Sequence, residues 1–176
     1  MSLKEIIAQG FGIIGFILFA LSFQCKKNKN LFIYQGCSGI MFLLNYTLIG
    51  AVSAALFNLS NIIRATVLNK KNVGPWQLAI LCLLYTVCFG ISLPGIWGNF
   101  LQIFLSFFTY ASLIIMTVLM WIGNPKHIRY GQLFASSPAW LIHNIINFTL
   151  GGIICEIFAI ISSIISLIRF RKGFEE

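Results

Sequence analysis

Charge is distributed along this chain in a way that leaves few folds open. Ile6 to Cys25, Asn30 to Ile63 and Asn72 to Pro125 contain no Asp, Glu, Lys or Arg, and Tyr130 to Ile168 contains one, Glu156. A helix crossing a hydrocarbon layer of ~30 Å needs about 20 apolar residues, and each of these stretches can supply them. Of the 176 residues, 59% are hydrophobic and 9% are charged, where a soluble domain carries about a quarter charged residues. An ordinary cytosolic enzyme, a disordered tail and a disulfide-stapled secreted module are thereby excluded. Lipid offers backbone groups no hydrogen-bond partner, and the period-two alternation of a membrane barrel is missing. The expected class is an all-α integral membrane protein.

The stretch lengths set the number of helices. The first holds one span. The second, 34 residues, would form a rod of roughly 51 Å and must fold back, with Leu48-Ile49-Gly50-Ala51 as the expected bend. The third divides at Leu93-Pro94-Gly95, because proline removes a donor and restricts the residue before it. The fourth divides near Thr149-Leu150-Gly151-Gly152. Seven helices follow, at 6–24, 31–48, 51–68, 77–93, 99–122, 131–148 and 151–169, within a single membrane domain ending in a tail at 170–176. The first segment is read as a span and not a signal peptide, since its apolar run is long and no small-x-small cleavage site follows.

Orientation comes from the basic residues. The loops after helices one, three and five, with the C-terminus, receive Lys26, Lys27, Lys29, Lys70, Lys71, Lys126, Arg129, Arg169, Arg171 and Lys172, and Arg64 lies just inside helix three. The opposite side receives Lys4 alone. Cytoplasmic loops of membrane proteins collect Lys and Arg, so the N-terminus is expected outside and the C-terminus inside. The net charge of +8 is therefore a matter of topology and anionic lipid, and no nucleic-acid partner is expected. Cys25, Cys37, Cys82, Cys88 and Cys155 are scattered without a metal or disulfide pattern, and no cofactor is implied. Trp76, Trp97 and Trp121 fall near span ends as interfacial anchors.

Sliding the chain by 98 residues superposes helices one to three on helices five to seven without a gap. Leu21, Ser38, Ile62 and Ile63 meet identical residues at Leu119, Ser136, Ile160 and Ile161. In helix three, Ala54, Asn58, Asn61 and Ala65 form one small and polar face, and their counterparts in helix seven are Gly152, Glu156, Ala159 and Ser163. Such faces turn toward protein or a cavity, away from lipid. Two three-helix units, 6–68 and 99–169, joined by a linker helix at 77–93, would run parallel in a 3+1+3 bundle, an arrangement found in SWEET transporters.

Several motifs carry a family resemblance. They are the basic connection Lys26–Asn30 before Leu31-Phe32, Leu43-Leu44-Asn45-Tyr46 before Leu48-Ile49-Gly50, and Asn124-Pro125-Lys126. To these are added Ser136-Ser137-Pro138-Ala139-Trp140-Leu141-Ile142-His143-Asn144 and Gly151-Gly152-Ile153-Ile154-Cys155-Glu156. With these the chain resembles the YgjV-type family of bacterial inner-membrane proteins, which the resemblance relates to SWEET, PQ-loop and PnuC-like transporters. It implies a transporter-like fold and names no substrate. The Pro-Gln dipeptide of the PQ-loop relatives is absent.

Glu156 is the sharpest functional candidate, the one acidic residue within a span, roughly 8 Å below the outer end of helix seven. A carboxylate there must pair, protonate or face water; it either binds substrate or exchanges a proton, or it is a hydrogen-bonded structural group. Its counterpart Asn58, with Asn61 one turn on, could ligate a polar metabolite across a pseudo-two-fold cavity, or serve as interhelical glue. Asn45 and His143 also coincide at the same offset. Trp140, His143 and Asn147 share a face with Asn144 beside them, and His143 is either a titrating gate or a packing residue. Pro138 is expected to kink helix six, and Arg64 to snorkel to the cytoplasmic interface or contact an anion.

The leading functional expectation is a small transporter or facilitator of a polar metabolite, bound between the repeats by Asn58, Asn61, Glu156, Asn45, His143, Asn144, Asn147 and Trp140. The alternatives are a receptor or assembly factor that binds a peptide, lipid or partner helix without moving it, and a membrane enzyme acting on lipid. The enzyme reading has little chemistry to work with, since one intramembrane acid and two histidines form no catalytic set. Besides the bilayer and an unidentified small polar molecule, a second copy of the chain is an open partner.

Overall fold

The computed structural model describes residues 3–22, 28–68, 70 and 73–171, with the side chains at 22, 28–32, 35 and 169–171 excepted. Cys25, Lys26, Lys27, Lys71 and Lys172, and the side chains of Lys29, Arg169 and Arg171, lie outside the described residues, so most of the basic side of the charge asymmetry does too. Seven helical rods account for nearly everything described. They are α1 (Leu3–Ser22), α2 (Asn28–Ile49), α3 (Val52–Leu68), α4 (Pro75–Ile96), α5 (Phe100–Ile122), α6 and α7 (Leu150–Arg171). The sixth rod, α6, is Pro125–Gly131, a π-helical stretch Gln132–Ser136, and Ser137–Ile146 run end to end. Four rods, α1, α4, α5 and α7, are long and apolar enough to cross a membrane, and α2 and α3 contain shorter apolar helices.

Consecutive rods pack side by side along the chain. The last, α7, returns to α1, and α3 also packs on α5. Helix ends collect at two poles. The start of α1 and the ends of α2 and α6 surround one cavity, through Lys4, Gln9, Ile49 and Asn147. At the other pole the Trp121 indole, at the end of α5, donates to the Val73 carbonyl just before α4, at 2.9 Å.

The distribution of residues is that of a bundle dissolved in hydrocarbon. Ile13, Ile17, Leu83, Ile91, Phe100, Phe104, Phe107 and Ile161 are exposed, while Ser38, Ser53, Ser60, Ser106, Thr109, Thr117 and Ser163 are buried. Without a hydrophobic drive between helices, association rests on close packing and interhelical hydrogen bonds. Ser38 Oγ accordingly donates to the Gly15 carbonyl at 2.7 Å, and Ser106 Oγ to Ser53 Oγ at 2.9 Å. The tightest approach is between α1 and α7, where a Cβ built on Gly151 would overlap the carbonyl of Gly12.

Three expectations about the connections are corrected. Pro94 does not end α4, which continues to Ile96, and the reversal falls at Trp97 to Asn99 with Gly98 at φ 88°. A proline in the last turn removes one bond from a helix already running out of them, so the chain turns where glycine supplies a left-handed residue. The α6–α7 reversal lies at Asn147 to Thr149, with Phe148 at φ 54°, and Gly151 and Gly152 lie inside α7 as contact residues. Finally, α6 begins at Pro125 and not at 131. Gly123 (φ 74°) closes α5, and the Asn124 side chain accepts from the backbone N–H of Lys126 at 3.0 Å and His127 at 3.4 Å. Asparagine as cap with proline at the first helical position is a strong start signal. Ahead of Pro138 the helix widens, the Ser137 N–H reaching back to the Gln132 carbonyl, which absorbs the disturbance of a mid-helix proline.

The α2–α3 and α6–α7 reversals are built alike, 98 residues apart. Gly50 N–H donates to the Thr47 carbonyl and Phe148 N–H to the Ile145 carbonyl, each at 3.2 Å. Ala51 N–H donates to the Tyr46 carbonyl and Thr149 N–H to the Asn144 carbonyl, each at 2.9 Å. Both central residues, Gly50 and Phe148, have positive φ. This is the pairing in which a left-handed residue closes a helix by satisfying its last carbonyls.

Candidate functional site

The last turns of α2 and α6 meet in the bundle interior. Tyr46, in the last turn of α2, donates its hydroxyl to Asn144 Oδ1 at 2.9 Å. Its ring lies 5.8 Å from that of Trp140 and 6.4 Å, edge-on, from that of His143. Asn45, Tyr46, His143 and Asn144 are all buried. Asn45 Nδ2 donates to the Ala8 carbonyl of α1 at 2.6 Å, which ties α2 to the helix that α7 also grips. Gly152 makes room for Asn144, since a Cβ there would come within 2.6 Å of its amide.

Around this centre polar atoms are sealed from solvent without a partner. They are Asn45 Oδ1, His143 Nε2 and, from α7, Glu156 Oε2. Ser137 faces the Glu156 carboxyl, and Tyr46 is within electrostatic reach of it. Buried polar groups in folded proteins are nearly always satisfied, so three orphans around one aromatic cluster form a set of hydrogen-bonding positions that a small polar guest or water would complete.

A cavity of about 460 Å³ opens at the pole above the cluster, lined by Lys4, Glu5, Gln9, Leu48, Ile49, Asn147 and Phe148, within the size range of small-molecule sites. Asn147 joins cavity to cluster. Its Nδ2 donates to the His143 carbonyl at 2.8 Å and lies 3.3 Å from His143 Nδ1, and its Oδ1 accepts from Gln102 Nε2 at 3.4 Å. Gln9 clamps the rim, donating to the Phe148 carbonyl and accepting from the Leu150 N–H at 2.9 Å.

Of the eight residues singled out from sequence, Trp140, His143, Asn144 and Glu156 gather round Tyr46, Asn45 next to it in the chain turns its amide to α1, and Asn147 stands between them and the cavity. Asn58 and Asn61 lie elsewhere. Asn61 Oδ1 accepts from the Tyr85 hydroxyl of α4 at 2.7 Å, and Asn58 faces α2 near Gly39. The two polar ridges do point inward, with Ala54, Ala159 and Ser163 buried, yet α3 and α7 are not among the closely packed pairs. The expected direct opposition of Asn58 and Glu156 is therefore replaced by a meeting of α2 and α6. Arg64, half-buried one turn from the end of α3, donates from Nη1 to Thr117 Oγ1 at 3.4 Å, and its guanidinium lies 5.9 Å from the centre of the Tyr85 ring.

Tyr46 is the residue that sequence reasoning missed. Tyr46 and Asn144 are themselves 98 residues apart, but a tyrosine in an apolar helix does not stand out as the asparagine and histidine of the Asn45–His143 match do.

The sequence profile of Imp-YgjV, described as bacterial inner membrane protein, matches residues 6–173. No curated protein matches the chain, and no solved structure does.

Proposed function

The chain belongs to the Imp-YgjV family of bacterial inner membrane proteins, and from that premise we propose that it is a transporter or facilitator of a small polar metabolite. The observation that carries this reading is the set of unpartnered buried atoms, Asn45 Oδ1, His143 Nε2 and Glu156 Oε2, on residues beside the Tyr46–Asn144 hydrogen bond and the cavity. In this reading the guest enters past Asn147 and takes hydrogen bonds from the cluster. Onward passage requires the Tyr46–Asn144 bond to open, and Glu156 binds the guest or exchanges a proton as it does so.

The reading extends to architecture. Seven crossings with the N-terminus outside and the C-terminus inside place the cavity on the outer face. The 98-residue offset makes 6–68 and 99–169 parallel three-helix repeats about a linker helix, as in SWEET transporters. Three observations support it: the matched reversals at Gly50 and Phe148, the α1–α7 and α3–α5 contacts that exchange under the offset, and the bond between Tyr46 and its own counterpart Asn144. A residue can touch its counterpart only on the axis relating the two units. Alternating access would then be a rocking of the units about that pair.

Flux of a panel of polar metabolites into proteoliposomes tests the proposal. We expect uptake of one class by the wild-type protein, loss of it in Asn144→Ala, and loss of uptake or of its pH dependence in Glu156→Gln. Unchanged uptake and pH dependence in both variants would remove the cluster from the mechanism, and ligand-induced stabilisation without flux would identify a receptor.

A further inference from the structure

The bundle holds a second polar centre that the cluster at Tyr46 does not use. Arg64 lies in α3 about 18 Å from its start and one turn from its end, so it belongs to the pole of Trp121 and Val73, opposite the cavity. Thr117 of α5, wholly buried, gives its own proton to the Leu113 carbonyl at 2.7 Å and so presents an oxygen to Arg64. Tyr85 of α4, also wholly buried, lies under the guanidinium and donates to Asn61 Oδ1, which leaves the amide nitrogen of Asn61 as the end free to donate.

What this centre lacks is an anion. Guanidinium carries five N–H donors, and among the described residues it meets one long bond to a neutral hydroxyl. Nε is sealed from solvent with no acceptor, and among the described residues no carboxylate pairs with Arg64. An arginine within a membrane helix is costly and is kept where it meets a partner or a pathway. Fold symmetry does not require it either: the positions 98 residues from Arg64 and Asn61 are Ser162 and Ala159, and the position equivalent to Thr117 is Phe19. The charged centre is built on one side of the molecule only.

We propose that Arg64, with Asn61, Tyr85 and Thr117 around it, binds a phosphate group at the pole opposite the cavity. Arginine matches phosphate through parallel N–H bonds, the Asn61 amide nitrogen adds a donor, and Thr117 and Tyr85 hold the guanidinium in place. The phosphate comes either from a phospholipid headgroup at that surface or from a free phosphorylated solute. Both present the same chemistry to Arg64.

The test uses the full chain, purified in nonionic detergent, and follows its thermal unfolding. One arm titrates inorganic phosphate against chloride at equal ionic strength. The other compares nanodiscs of phosphatidylcholine with nanodiscs containing phosphatidylglycerol. We expect the midpoint to rise by several degrees in at least one arm. A rise with inorganic phosphate identifies a free solute as the source, and a rise confined to phosphatidylglycerol identifies a headgroup. Arg64→Gln should abolish the rise, Arg64→Lys should weaken apparent affinity about tenfold, because a point charge replaces a fork, and Glu156→Gln should keep it. The absence of any rise in both arms overturns the proposal, as does an equal rise in Arg64→Gln. Should Arg64→Gln fail to fold, the Arg64→Lys and Thr117→Val proteins decide: wild-type response in both overturns it. None of these outcomes bears on the transport reading, whose residues lie in the other centre.

Discussion

The α1–α7 seam and the α3–α5 seam are made in opposite ways. At the first, backbones touch: Gly12 and Gly151 leave no space for a side chain, and Gln9 and Asn45 bind backbone groups of neighbouring helices. At the second, side chains touch, with Ser106 on Ser53 and Arg64 on Thr117. Glu156 in α7 and Arg64 in α3 lie at different depths along their helices. The difference teaches that the closeness of two helices decides which chemistry their seam can hold. Close backbone approach brings α7, and with it Glu156, up to the Tyr46 cluster, whereas the wider seam leaves room for a guanidinium.

Substitutions can break or sharpen this contrast. The largest effect is expected at Gly151→Ala, whose methyl group has nowhere to go but into the Gly12 carbonyl. A loss of about 3 kcal/mol is expected from forced separation of the helices, read as a lowered unfolding midpoint in detergent, with Ser53→Ala as the counterpart at the other seam losing about 0.6 kcal/mol for one interhelical hydrogen bond. Equal effects at the two positions would remove the distinction between the seams.

Tyr46→Phe comes next. It deprives Asn144 Oδ1 of its donor, and a destabilisation of about 1–2 kcal/mol is expected, measurable by denaturant titration in mixed micelles. No change in stability would mean that the bond between α2 and α6 contributes nothing to their meeting.

The smallest effects concern the two matched reversals. Gly50 has open space around a Cβ, so only its φ of 81° resists a side chain, and Gly50→Ala should cost about 1 kcal/mol. Phe148 already bears that cost at φ 54°, and Phe148→Gly should recover up to about 1 kcal/mol, less whatever glycine adds to the freedom of the unfolded chain. Thermal unfolding of the pair checks the opposite signs; a shared sign would show that the reversals are not mechanically equivalent.

Much of the architecture was legible in the residues alone. Charge-free stretches place the helices because an uncompensated charge in hydrocarbon is costly, a local property of sequence. The bend at Gly50 was legible for the same local reason. Connections elsewhere were misread where glycine has two uses. Gly151 and Gly152 look like a turn, but they are needed for close approach, and Phe148 takes the left-handed position because the capping bonds around it fix the backbone there. Of the candidate site, Asn45, His143, Asn144, Trp140, Asn147 and Glu156 were found through spacing and polarity; Tyr46 was not, since tyrosine in an apolar helix carries no signal until its partner is known.

By itself, then, the order of residues determined that this chain is a bundle of membrane helices, where those helices run, and which polar side chains turn inward. Hydrophobicity and periodicity act within one helix and can be read along it. Which inward-facing groups meet was decided only in three dimensions. Asn58 and Asn61 share their face with Ala54 as the spacing indicates, but packing of α3 against α4 delivers Asn61 to Tyr85, while α2 and α6 bring Tyr46 and Asn144 together. Helix neighbours are chosen by the sum of many weak contacts between small residues, and no single position along the chain carries that sum.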